Sequence, residues 1–197
     1  MAADLTSSRA SRANCLLCAV LTALIVGAIP ARALDGGDAV AASALKAAFL
    51  YNFAKFSEWP ADALAPGQPL AMCVVGDAAV ADALGQTTKG HTIDGHELTV
   101  TVLKVGESAS GCHLLYVTAS EIKRSAGLLS GAKGTSVFTV SDADGFAESG
   151  GVAQLIVEHD RMRFAINIAS AQRGGLNISS KLLSLAKIIK DQNNVPH

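Results

Sequence analysis

The sequence predicts an α/β fold, a single compact domain in which a mixed β-sheet is packed with helices. Two observations carry this expectation. Leu70-Ala71-Met72-Cys73-Val74-Val75 is a continuous apolar run bounded by Gly76, the pattern of a strand covered on both faces, and Asp77 then stands where the N-cap of a helix is wanted. Downstream the chain alternates short apolar runs with turn residues and helical segments, and strand, tight turn and helix in succession are what build an α/β layer.

In chain order, Arg9 and Arg12 precede the apolar run CLLCAVLTALIVGAI, and Ala31-Arg32-Ala33 follows it. A positive start, an apolar middle and a small-residue exit are the features of a secretory signal peptide, with cleavage expected between Ala33 and Leu34. The apolar run, Cys15 to Ile29, holds 15 residues, short of the roughly 20 that span a bilayer. Residues 1–33 are therefore assigned to the signal and 34–197 to one exported domain, which is expected in the space beyond the membrane. That domain has 164 residues, enough for one core but short for two. It carries 13 Lys and Arg against 16 Asp and Glu, without a basic cluster, so nucleic acid is not an expected partner. No second apolar run reaches spanning length, and membrane insertion of the mature chain is not expected.

Asp38 to Ser57 reads as the first helix, with Leu45, Phe49, Phe53 and Phe56 as its apolar stripe, Lys46 and Lys55 away from it, and Pro60 as its stop. After the Leu70–Val75 strand comes a short helix from Ala78 to Leu84, then the polar stretch GQTTKGHTIDGH. Leu98–Leu103 alternates as a strand with one covered face. His113–Val117 and Val137–Val140 are further short strands, separated by a helix Glu121 to Leu129 with Ser120 as its N-cap. The loop SDADGFAESGG follows as a candidate functional surface. Ala153–Val157 and Met162–Ile166 form a hairpin around His159-Asp160, Asn167 caps a short helix ended by Gly174-Gly175, and Ser179 or Ser180 starts a last helix through Leu182, Leu185, Ala186 and Ile189. The tail DQNNVPH is expected to fray.

Two cysteines, Cys15 and Cys18, leave with the signal, and Cys73 and Cys112 remain. An even count in an oxidising compartment suggests one disulfide. Closing a loop of about 40 residues stabilises a fold by roughly 4 kcal/mol on the chain-entropy account. The spacing excludes a C-x-x-C redox pair, and two cysteines without histidines cannot build a zinc site.

Few stretches carry chemistry. Gly106-Glu107-Ser108-Ala109-Ser110 approaches G-x-S-x-G, but Ser110 replaces the second glycine and no strand-to-helix elbow is predicted. His91, Asp94 and His96 lack a third histidine or helical spacing, so no metal is expected there. Asp142, Asp144 and Glu148 lack the twelve-residue calcium spacing and read as a solvated turn. VVGDAA has no G-x-G-x-x-G, and phosphate binding at that helix start is weakly supported. No catalytic residue or cofactor is expected. Arg161, Arg163, Arg173 and Asn167 gather polar groups around the final hairpin and helix, where a small anion or an amino-acid-like ligand could sit.

KAAFLYNFAKFSEWP places Phe49, Tyr51, Phe53, Phe56 and Trp59 within eleven residues and closely resembles the N-terminal signature of the YfiR/HmsC family of secreted bacterial proteins. The likeness continues through LAMCVVGD, CHLLYV and RMRFAINIASAQRGGLNISSKLLSLAKI, over about residues 40–190. The resemblance implies a compact α/β periplasmic domain that binds the sensor part of an inner-membrane diguanylate cyclase of YfiN type and represses cyclic-di-GMP synthesis. It further implies an outer-membrane lipoprotein that sequesters the repressor and so raises biofilm formation, and a homodimer. By the same resemblance Cys73 and Cys112 match the family's disulfide pair. The second pair that some members carry is missing, since no cysteine follows Cys112. A small aromatic ligand, as bound by family members, would sit near Asn167 and Arg173. The runner-up from another class is a periplasmic small-molecule-binding accessory protein without a cyclase partner.

Overall fold

A computed structural model describes residues 35–159 and 161–190. The expected signal segment, its cleavage point between Ala33 and Leu34, Asp160 of the hairpin turn and the tail 191–197 lie outside the described residues. The central strand is β2, numbered after a two-residue strand β1 (Ser57–Glu58), and it spans Leu70–Val75 as the apolar run predicts. With both faces buried, such a strand needs cover on each side and parallel neighbours reached by crossovers. Those neighbours are β4 (His96–Leu103) and β5 (Leu114–Val117), both parallel to β2. Beyond β5 lie β6 (Phe138–Ser141) and β7 (Ala153–Glu158), also parallel, and then β8 (Arg161–Asn167), antiparallel to β7. The sheet is closed at one margin by β10 (Lys187–Ile189), parallel to β8, and at the other by β3 (Thr92–Ile93), antiparallel to β4. The order is β10-β8-β7-β6-β5-β2-β4-β3, a mixed sheet, and β1 forms a separate pair with β9 (Asn177–Ile178). The described residues from Gly36 onward belong to one compact unit.

Helices cover both faces. On one side α1 (Asp35–Lys55) and α2 (Ala78–Thr88) deliver Ala47, Leu50, Phe53, Val80 and Leu84 onto Met72, Val74, Leu114, Tyr116, Phe138 and Val140. On the other, α3 (Ala126–Ala132) packs over Cys73, Val75, Leu115 and Val117. Burying a large apolar side chain contributes about 1.5–3 kcal/mol, so this double cover is the main stabilising term.

Several expectations are corrected by that packing. The stripe of α1 is rotated: Ala47, Leu50, Phe53 and Ala54 are fully buried while Leu45 is 45% exposed. The small Ala47 and Ala54 let the helix sit close to the sheet, and Phe49 packs from the flank, its ring 6.1 Å from that of Phe53 and 5.7 Å from that of Phe164. The same rotation brings Lys46 inward. The helix ends at Lys55 rather than Ser57, because Ser57 and Glu58 pair with Ile178 and Asn177.

Helix α2 runs past Leu84 to Thr88, its polar end satisfied by Thr87 and Thr88 hydroxyls that donate to the carbonyls of Ala83 and Leu84. Beyond it the chain forms a hairpin: Asp94 (φ 50°) and Gly95 (φ 84°) make the two-residue turn between β3 and β4, the left-handed pair that Asp-Gly favours. Between β5 and α3 stands a single 3-10 turn, Ala119–Glu121, so the helix expected at Glu121 starts at Ala126. The last helix shrinks to one turn, α5 (Ser180–Leu183), capped by Ser179, and the chain then pairs with the open edge of β8 as β10. The β7–β8 hairpin and the Asn167 cap of α4 (Ile168–Arg173) are as expected.

Two glycines test this packing. A Cβ at Gly174, just past α4, would run into the Thr135 carbonyl oxygen, whereas one at Gly85 in the middle of α2 meets nothing. Gly174→Ala is expected to lower unfolding free energy by about 2 kcal/mol and Gly85→Ala to raise it by about 0.5–1 kcal/mol; urea titrations read both.

Candidate functional site

The first crossover of the sheet carries the chain from β2 through α2 to β4, and β5 then lies on the opposite side of β2. Such a reversal opens a crevice at the carboxyl ends of the two strands, the place where open α/β sheets bind ligands. Residues that follow directly on the strands line it. Gly76 (φ 84°) and Asp77 come after β2, Thr118 and Ala119 after β5, and Asp142 after β6. Into them reaches Lys46 from α1. Its Nζ lies 2.6 Å from Asp142 Oδ2 and 3.8 Å from Asp77 Oδ2, with all three side chains about one-fifth exposed.

Each carboxylate is tied a second time. The Ala119 N–H donates to Asp142 Oδ1 at 2.7 Å, and the Val80 N–H donates to Asp77 Oδ1 at 3.0 Å as the N-cap bond of α2. Burial by itself would push the Asp142 carboxyl up, but the hydrogen bonds from Lys46 and the Ala119 N–H outweigh it and hold the group below its ordinary value. Burial would likewise lower Lys46, and Asp142 outweighs that too, keeping the ammonium charged well beyond the usual lysine range. The fully buried Tyr116 is pushed up to about 12, by burial first and by the Asp142 charge second. The crevice is thus filled by the protein's own cation. Two carboxylates against one ammonium also make it unsuited to a phosphate, in keeping with the weak support that VVGDAA gives.

The disulfide joins Cys73, inside β2, to Cys112, two residues before β5, its Cα atoms 5.9 Å apart and both residues buried. A histidine reinforces it: the Ala71 N–H donates to His113 Nδ1 at 2.9 Å, leaving Nε2 to donate to the Ala63 carbonyl at 3.1 Å. Trp59 Nε1 donates to the His113 carbonyl at 3.1 Å, so the end of the aromatic segment is fastened to the same corner.

The acidic loop between β6 and β7 is no loose turn. Phe146 and Ala147 are buried, the Ala147 N–H donates to Gln154 Oε1, Asn167 Nδ2 donates to the Ala147 carbonyl, and the Val152 N–H donates to Thr139 Oγ1. Asn167 is fully buried and its Oδ1 accepts from the Ser170 N–H, so it holds this loop and caps α4. Arg173 instead lines a polar cleft of about 420 Å³ with Lys133, Glu148, Gly150 and Ser170, its Nη2 donating to Ser170 Oγ at 2.8 Å. An apolar cleft of about 270 Å³ adjoins it, floored by Leu129, Val137, Phe146 and Val152. The two residues that the sequence pairs in one candidate ligand site both bond Ser170, and of the two Arg173 lines the cleft. Arg161 and Arg163 lie on β8 outside these clefts, Arg163 Nε standing 3.8 Å from Glu158 Oε2.

His96 Nδ1 donates to the Gln68 carbonyl and His91 lies against the Tyr51 ring. Among the described residues no group of three or more His, Cys, Asp or Glu is placed to hold a metal ion. Sequence reasoning misses Lys46 and Asp142 as partners; the usable signal is that Asp77 and Asp142 each stand just past the end of a strand.

A family model described as YfiR/HmsC-like matches residues 43–187, more than half of the chain. No curated protein matches it.

The Lys46–Asp142 pair carries a testable pH signature. Lys46→Met leaves a partly buried carboxylate without its cation and is expected to lower stability by about 2 kcal/mol at neutral pH. Because the folded Asp142 value is depressed, its contribution is fully present above the unfolded value near 3.8 and is lost as pH falls through the folded value. Acid titration of unfolding free energy is expected to show a shallower decline below about pH 4 in the variant than in the parent.

Proposed function

We propose, because the chain belongs to the YfiR/HmsC-like family, that it is an exported regulator that binds the sensor region of an inner-membrane diguanylate cyclase of YfiN type and represses cyclic-di-GMP synthesis. The family match over residues 43–187 is the observation that carries this reading. In it, residues 1–33 act as a signal peptide cleaved between Ala33 and Leu34, residues 34–197 form the periplasmic domain, and an outer-membrane lipoprotein sequesters the repressor. The switch-point crevice, where an α/β enzyme would take its substrate, is filled by Lys46, which supports a binding role over a catalytic one. No helix of the described residues is long and apolar enough to cross a membrane.

The mechanism is an equilibrium. A repressor with higher affinity for the inactive cyclase holds that state in proportion to the difference in affinity, and removing or unfolding the repressor releases it. The Cys73–Cys112 bridge enters through stability, since it ties the central strand β2 to the segment that leads into β5. A second reading, a small-molecule-binding accessory protein, is favoured by the cleft at Lys133 and Arg173, whose charges suit an anionic ligand with an apolar body resting on Phe146 and Val152.

Co-purification with a cyclase encoded in the neighbouring reading frame, and a rise in cyclic-di-GMP on deletion of this protein, are the expected results. Cys73→Ser is expected to lower the abundance of the protein and raise cyclic-di-GMP; normal abundance with normal repression would refute the scheme. Ligand-induced thermal stabilisation with no cyclic-di-GMP response to deletion would favour the second reading.

A further inference from the structure

A cleft of about 270 Å³ opens between β1, the start of β2 and the β3–β4 turn, and it shares no residue with the clefts around Phe146 and Arg173. Its floor is apolar: Leu64, Leu70 and Ile93 line it, none more than 7% exposed. Ser57 lines it as well, 2% exposed, and among the described residues its Oγ has no hydrogen-bond partner. A buried hydroxyl left unpaired is destabilising, and a site that keeps one calls for a partner from outside the chain.

The rim has one sign. Glu58 and Asp94 line it, both exposed, and no Lys or Arg does so among the described residues. Each carboxylate is held by the fold: Asn177 Nδ2 donates to Glu58 Oε2 at 2.9 Å and leaves Oε1, while Asp94 is set by the left-handed turn it shares with Gly95. Two other polar groups have already given away their donors. His96 Nδ1 donates to the Gln68 carbonyl at 2.7 Å, so the neutral ring keeps Nε2 as an acceptor, and Trp59 Nε1 donates to the His113 carbonyl. A lining of acceptors and anions rejects an anionic ligand, and these groups are not placed together to hold a metal ion. An organic cation is the chemistry that remains.

We infer that this cleft binds a small aliphatic amine carrying a second hydrogen-bonding group, of which an ω-amino alcohol is the simplest form. Exposure sets its direction. The ammonium stays at the rim with Glu58 and Asp94, where it keeps part of its hydration, because burying a charge beside a neutral hydroxyl is costly. The methylene chain lies on Leu64, Leu70 and Ile93, and the hydroxyl group pairs with Ser57 Oγ. Charge separates this cleft from the one at Lys133 and Arg173, which suits an anion, and the inference stands whether or not a cyclase is the partner.

Trp59 is the single tryptophan of the chain, so its indole N–H resonance reports on this cleft without ambiguity. The mature oxidised protein is titrated with ethanolamine, 3-amino-1-propanol, 4-amino-1-butanol and 5-amino-1-pentanol, each against the alkylamine and the alkanol of the same length, at constant ionic strength up to about 50 mM. Amines are expected to shift the resonance saturably with dissociation constants on the order of 1 mM, and alkanols are not. At the best-fitting length the amino alcohol binds at least about threefold more tightly than its alkylamine, and Ser57→Ala abolishes that advantage while the alkylamine still binds. Asp94→Asn, which keeps a residue suited to the left-handed turn, and Glu58→Gln each weaken every amine at least about threefold; circular dichroism melts confirm that the variants fold. No saturable shift, an equal response to alkanols, an amino-alcohol advantage that survives Ser57→Ala, or amine binding indifferent to both carboxylate variants overturns the proposal.

Discussion

The molecule depends on one strand having no solvent side. Leu70–Val75 sends Met72 and Val74 into the layer under α1 and α2, and Cys73 and Val75 into the layer under α3, with none of the four more than 3% exposed. Because the strand is buried on both faces, its neighbours must be reached by crossovers, and the crossovers supply the helices that bury it. Both fastening points of the structure lie at its two ends. At one, His113 ties Ala71 to the start of β5, and the disulfide adds to that link from Cys73 within the strand. At the other, Lys46 joins the first helix to the carboxyl groups just past β2 and β6.

Such an arrangement suits a protein that presents a fixed surface. The position at which many α/β proteins hold a ligand is here used for internal tethering, and the polar side chains that look available in the sequence are mostly engaged. Asn167 and Gln154 point inward to hold the loop that carries Phe146. The apolar cleft floored by Phe146 and Val152 lies between that loop and α3, on the face of the sheet away from α1.

How much of this is legible in the sequence depends on whether local pattern and tertiary contact agree. β2, the β7–β8 hairpin and the Asn167 cap are readable because apolar continuity, turn residues and capping chemistry all point the same way. The segment after Ser180 misleads because Leu182, Leu185 and Ala186 do have helical spacing; the unpaired edge of β8 then offers hydrogen bonds that the helix forgoes. The Asp94-Gly95 hairpin is legible in principle, although its glycines and polar neighbours read as a loop. The rotation of α1 is not legible, since the large aromatics draw attention to a face that two alanines displace. For the same reason the pattern assigns Lys46 to solvent, and the ion pair at the switch point stays hidden. The disulfide, which needs only a count and a compartment, is the part of the site most open to inference.

The contacts of α1 have a consequence for the order of assembly. Its lysine finds Asp142 96 residues further on, and Glu58 just beyond the helix is bonded by Asn177 119 residues away. The first of the described helices to be synthesised is therefore among the last to find its place, and until then Leu50 and Phe53 have no sheet to lie on. Closing such distant pairs is slow relative to forming local ones, so the nascent protein passes through a stage in which a greasy helix must be shielded by a holdase or by its own transient collapse.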